Sequence, residues 1–108
     1  MKITVSKSGG NVFADIGAKH PEEARAKAQL AHAITLIIEA RGLTQGEAAR
    51  LLGIDQPKVS NLVRGRLSGF SLDRLFRFLT LLGRDVEIIV KDRKGNGEMP
   101  GHISVAVG

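Results

Sequence analysis

The sequence holds no cysteine, no tryptophan and no tyrosine, and its only aromatic side chains are four phenylalanines. Without cysteine there is no disulfide and no thiolate metal site, which suits a reducing cytoplasm. With so few rings, the core must be built from Leu, Ile, Val and Ala, and the 43% hydrophobic content of these 108 residues supplies them. No apolar run approaches the roughly 18 residues of a membrane span. Met1-Lys2-Ile3-Thr4-Val5 lacks the long apolar stretch of a secretory signal. Catalytic groups do not cluster either. His20, His32 and His102 are far apart in sequence and near no nucleophile or group of acids, and Gly95-x-Gly97 lacks the third glycine and the strand–helix setting of a phosphate loop. These absences point away from an enzyme and from a bound metal or cofactor.

What the chain does have is positive charge, concentrated in one place. Residues 41–84 carry eight basic residues (Arg41, Arg50, Lys58, Arg64, Arg66, Arg74, Arg77, Arg84) against three acidic ones (Glu47, Asp55, Asp73). The rest of the chain carries eight of each sign, so the whole net charge of +5 sits on this one segment. A surface that meets phosphates is built this way, although a few surplus cations also serve solubility.

The length allows one domain with tails. Lys2-Ile3-Thr4-Val5 alternates like a short strand before Ser8-Gly9-Gly10-Asn11 breaks the pattern, and Val12, Phe13 and Ile16 make a small apolar cluster on an arm. Pro21-Glu22-Glu23 opens a first helix, because proline fits the first turn and acids complement the positive end of the helix dipole. Leu30, Ile34, Ile37 and Ile38 give it an apolar stripe, and Gly42 stops it. Thr44-x-x-Glu47 is a capping box opening a second helix that ends at Gly53. Asp55 caps a third, with Pro57 in its first turn and Gly65 at its close, and Ser71 caps a fourth that ends at Gly83. In that fourth helix, spacing assigns Leu72, Leu75, Phe76, Leu79 and Leu82 to the core, and Phe78 and Leu81 to a neighbouring face. The β-branched run from Asp85 to Lys91 predicts a strand. It either folds back over the fourth helix or leaves that face to a second subunit, or does both, with the strands of two subunits paired across a two-fold axis. After Lys91 the composition becomes that of a flexible tail, with a weak strand signal at 102–107. The expected architecture is mainly all-α, a bundle of four to five helices with a short C-terminal strand: an arm over 1–20, a domain over 21–91 and a tail over 92–108.

The stretch from Thr44 to Leu62 meets the demands of two helices crossing steeply through a short turn. Ala49 falls where the helices approach most closely, Gly53 at a turn that asks for positive φ, and Ala48, Leu52, Ile54, Val59 and Leu62 where an inward set is needed. An ordinary helical hairpin would satisfy those positions too, but its solvent side would carry more glutamate. Here the third helix offers Gln56, Pro57, Lys58, Ser60, Asn61 and Arg64, with Arg66 beyond and no acid after Asp55. Gln and Asn pair with adenine N6 and N7, and Lys and Arg reach guanine O6 and N7. Gln56 and Pro57 sit at the end that enters the major groove in such motifs, and Lys58 and Asn61 follow as candidates for base or phosphate contact. Gln45 would approach the backbone, and Arg64 and Arg66 would clamp phosphates.

From Leu43-Thr44-Gln45 to Gly65, including Val59-Ser60, the chain resembles the Cro/cI-type (XRE) helix-turn-helix family. From Asn11-Val12-Phe13-Ala14-Asp15-Ile16-Gly17 to Val86-Glu87-Ile88 it is similar to a branch of small HigA-like antitoxins. In Gln56-Pro57-Lys58-Val59-Ser60 and Arg64-Gly65-Arg66-Leu67-Ser68-Gly69-Phe70-Ser71 the likeness to that branch is greatest. The resemblance implies a Cro/cI-like bundle and a cytoplasmic, nucleoid-associated repressor that binds operator DNA as a homodimer. It also implies an antitoxin that neutralises a RelE/HigB-like ribonuclease toxin. A stand-alone phage-type repressor and a protein-interaction module without DNA binding are the alternatives.

Overall fold

The computed structural model of the chain describes residues 2–5, 21–92 and 101–107, the first of these by backbone alone. The elements run β1 (Lys2–Val5), α1 (Pro21–Ala40), α2 (Gln45–Leu52), α3 (Gln56–Val63), α4 (Leu72–Leu81) and β2 (Ile88–Lys91). This is the mainly helical bundle expected, with four helices. The C-terminal strand starts at Ile88 rather than Asp85 and pairs antiparallel with residues 2–5, in a register from Lys2 opposite Lys91 to Val5 opposite Ile88. The apolar arm cluster at Val12, Phe13 and Ile16 lies outside the described residues, as do His20, Gly95 and Gly97. No helix among the described residues is long and apolar enough to cross a membrane.

The helices start where the sequence places capping side chains. Thr44 Oγ1 accepts the Glu47 amide at 3.1 Å while the Thr44 amide donates to Glu47 Oε1 at 2.9 Å, closing the box at the head of α2. Asp55 Oδ1 accepts from the Lys58 amide at 3.0 Å and Ser71 Oγ from the Arg74 amide at 3.1 Å. Each bond satisfies an amide that a first helical turn leaves without a partner. The bonds from Thr44 hold the Glu47 carboxyl below its ordinary value of 4.5. A carboxyl depressed by folding contributes stability that is fully present above that ordinary value and lost as pH falls through the lower, folded one. Independently of that titration, losing the cap in Thr44→Ala should destabilise the chain by about 1 kcal/mol. The gap in melting temperature between wild type and Glu47→Gln should narrow as melts are repeated in acid; a constant gap would show that the box adds nothing pH-dependent.

The core joins all four helices. Its most enclosed large side chains are Ile34 of α1, Val59 and Leu62 of α3 and Leu75 of α4. The predicted stripe of α1 is buried in full, Leu30, Ile34, Ile37 and Ile38 together, with Ala26, Ala31 and Ala33 beside them. In α4 the spacing argument needs correcting, because Phe78 is 2% exposed whereas Phe76 is half-buried. The cause lies outside the helix. Phe70, buried in the preceding loop, meets Phe78 edge to face at 5.9 Å with planes 76° apart, an arrangement aromatic pairs favour. Periodicity within α4 cannot register a partner in a loop. Arg74 lies over both rings, 5.5 Å from the centroid of Phe70 and 5.6 Å from that of Phe78, and its Nη1 donates to Gly69 O at 3.4 Å. Arg41 Nη1 reaches Leu82 O at 3.3 Å. Arg74 and Arg41 of the basic segment are thus engaged by the chain itself.

Val86 packs on the core, and β2 faces the Phe76 and Leu79 side of α4 rather than folding back over the neighbouring face that spacing assigns to Phe78 and Leu81. Between them runs a groove of about 1020 Å³, lined by Leu30 and Ile37 of α1, Phe76 and Leu79 of α4, Ile88 of β2 and Val105. Leu81 stays exposed. Residues 101–107 form neither helix nor strand and rest against the start of α1. There Glu22 Oε2 accepts the Ile103 amide at 3.1 Å, and His102 Nδ1 lies 2.6 Å from Glu22 Oε1. The His102 contact and then the Ile103 amide hold the Glu22 carboxyl below the usual carboxylate range. Val105 packs against the core cluster.

Candidate nucleic-acid interface

The α2–α3 unit is set by a corner and a seam. Gly53 sits at φ 71°, a conformation that is costly for any side chain with a Cβ, and the Ile54 amide bonds back to Ala49 O at 3.1 Å. Ala48, Ala49, Leu52, Val59 and Leu62 are buried along the seam, and Ile54 is half-buried against it. With Val59 and Leu62 turned inward and Val63 packed partly against the core, the outer side of α3 is left to its polar residues and Pro57. Gln56, Pro57, Lys58, Asn61, Arg64 and Arg66 are exposed, while Gln45 and Ser60 are half-buried. Pro57, Asn61 and Arg64 fall at i, i+4 and i+7, and Lys58 is three residues from Asn61, so these side chains occupy one continuous face. All eight residues singled out from sequence therefore reach the surface at least in part.

Two features of the site add to what the spacing of the sequence indicates. The first is the closeness of the two helix starts. A Cβ placed on Gly46 would stand 3.7 Å from Gln56 Oε1 and 3.9 Å from Thr44 Oγ1. The heads of α2 and α3 thus lie side by side, which brings Gln45 and Gln56 onto one surface. A glycine in the second position of a short helix, where alanine is the better helix former, was the only hint. The second is the way α3 ends. Gly65 takes φ 77°, its amide bonds to Leu62 O at 3.1 Å and the Arg66 amide bonds to Asn61 O at 2.8 Å. This closure pins the backbone of Arg66 to the last turn of the helix, with Arg64 before it. The two arginines therefore stand at a fixed distance from Asn61.

The electrostatics follow from the caps. Glu47 and Asp55 are the only acids between residues 44 and 66, and both carboxylates are occupied with backbone amides. Arg50, Lys58, Arg64 and Arg66 are exposed around them, leaving a face whose accessible charge is positive. Among the described residues no group of acids and histidines could hold a metal ion.

A short helix held across its predecessor by a glycine corner, with amides, a hydroxyl and cations along its outer side, is a helix-turn-helix DNA-binding unit. A family model described as a helix-turn-helix domain matches residues 12–91. A solved structure provisionally described as an XRE family transcriptional regulator is 40% identical, with a TM-score of 0.73 over 81% of this chain and 97% of that one. Among curated proteins none matches. The chain belongs to the helix-turn-helix family and within it is an XRE-type DNA-binding transcriptional regulator, a class without enzymatic activity.

Proposed function

We propose that the protein is a sequence-specific repressor that binds a palindromic operator as a homodimer and, with a RelE/HigB-like toxin, forms a toxin–antitoxin pair whose promoter it controls. The observation that carries the DNA-reading part is the outer face of α3, where Gln56, Lys58 and Asn61 are exposed and no free carboxylate opposes them. Amide side chains pair bidentately with adenine and lysine reaches guanine, so this face can tell base pairs apart in the major groove. Gln45, Arg64 and Arg66 take the flanking phosphates and set the register of the helix on the duplex. One unit of this size reads only a few base pairs. Two copies with their third helices about 34 Å apart, one turn of duplex, supply the affinity a repressor needs. Bound over its own promoter, the dimer excludes polymerase. The antitoxin part is supported by the likeness of residues 11–91 to the small HigA-like branch.

Fluorescence anisotropy against the chain's own upstream region, beside a random duplex, tests the first part. Nanomolar, salt-sensitive binding with a clear preference for the upstream fragment is expected. Equal affinity for both fragments would remove the sequence-specific repressor. Co-expression with the adjacent reading frame tests the second: a growth-arresting ribonuclease that this chain neutralises is expected, and its absence leaves a stand-alone repressor.

A further inference from the structure

We propose that Arg74 is a positioning residue for DNA binding: it fixes the loop between α3 and α4 so that Arg66 is held where a phosphate can meet it. The proposal rests on the reading of Arg66 as a phosphate clamp and names the side chain that steadies the clamp. Arg74 belongs to the basic segment, yet it is half-buried where Arg64 and Arg66 are exposed. Its guanidinium is engaged by its own chain. It lies 5.5 Å from the centroid of Phe70 and 5.6 Å from that of Phe78, and its Nη1 donates to Gly69 O at 3.4 Å. Phe70 and Phe78 stand four residues before and after it, so the cation covers both rings of the edge-to-face pair.

Residues 66–70 lead from the close of α3 to the cap of α4 at Ser71. At the entry of this loop the Arg66 amide bonds to Asn61 O at 2.8 Å, and further on the Phe70 amide bonds to Leu67 O at 3.0 Å. The first bond ties the loop to α3 and the second closes a turn within it. Leu67 packs partly on the core. The tie to α4 is made by Phe70, 4% exposed against Phe78, and by Arg74, which bonds the Gly69 carbonyl and covers the Phe70 ring. A lysine would bring the same charge without the same hold. Its ammonium is a compact point charge, whereas the planar guanidinium stacks on rings and still presents a donor to a carbonyl beside them. A cation that served only to attract the duplex would need neither ring. Holding the loop matters because a phosphate contact adds affinity only in so far as its cation is already in place. A loop free to move must be ordered on binding, and that ordering is subtracted from the affinity.

Arg74→Lys in the full-length chain tests the idea because it leaves the net charge as it is. Binding to operator and to random duplex should weaken alike, by about three- to tenfold, and the slope of log affinity against log salt should fall by about 1, although no charge has been removed. In the Arg66→Ala background the same substitution should change neither quantity further, because the contact it serves is already gone. Hydrogen exchange in the free protein gives a reading that general destabilisation would not. The Phe70 amide should exchange at least about tenfold faster in Arg74→Lys, while the amides of Val59 and Leu62 keep their wild-type protection. Losses that add in the double variant, unchanged DNA binding by Arg74→Lys, or exchange that rises throughout the core would each overturn the positioning role and leave Arg66 as the clamp. If Arg66→Ala itself binds both duplexes as wild type does, the clamp reading falls and the role of Arg74 falls with it.

Discussion

Replacing Asn61 with alanine is expected to weaken binding to the operator by about 1–3 kcal/mol, roughly 5- to 150-fold, while leaving affinity for random duplex nearly unchanged. The asymmetry follows from what the side chain offers. A carboxamide donates and accepts at once and matches one base edge, so its loss removes a contact that exists only on the right sequence. Asn61 is exposed in the second half of α3, three residues from Lys58 and three from Arg64, so a helix lying in the groove carries it to the bases. Arg66 makes the opposite case. Its position beyond the end of α3 suits a phosphate, and Arg66→Ala should weaken every duplex alike and reduce the slope of log affinity against log salt by about 1. Titrations of both variants at several salt concentrations, on operator and on random DNA, separate the two roles. Identical losses on both duplexes for Asn61→Ala would remove it from the base-reading set.

The second large effect concerns the seam that holds α3 in place. Leu62→Ala is expected to destabilise the chain by about 2–5 kcal/mol, the range for truncating an enclosed leucine whose surroundings cannot collapse into the space. Leu62 is 1% exposed and belongs to the core that links α3 with α1 and α4, so nearby side chains are already committed. Against total stabilities of about 5–15 kcal/mol for single domains, such a loss would leave a substantial fraction unfolded on mild heating. Urea unfolding followed by circular dichroism measures it. The midpoint should fall with little change in slope, and at low temperature the folded fraction should still prefer the operator. A loss below about 1 kcal/mol would mean that the seam is looser than its burial indicates.

Much of this molecule is local, and what is local could be read from the chain. Thr44 with Glu47, Asp55, Ser71 and the glycines at 53 and 65 each act through neighbours a few residues away, so helix limits and the α2–α3 corner follow from spacing alone. The outward face of α3 follows too, because Val59 and Leu62 fix which side is buried. The features that spacing missed depend on meetings between distant parts. Phe78 is drawn into the core by Phe70 of the preceding loop, and Gln56 is brought to Gly46 by the crossing of two helices. The hold of Glu22 on Ile103 spans most of the chain, and no periodicity encodes it.

The sheet is the least local feature of all, since it sets residue 2 beside residue 91. Closing so long a loop carries an entropic cost that the helices, zipped by contacts close in sequence, do not bear. The strands are therefore expected to pair after the helices have formed and to part before them under stress, which hydrogen exchange at residues 88–91 would show. A chain whose leading residues are clipped would therefore keep its helices and leave β2 without its neighbouring strand.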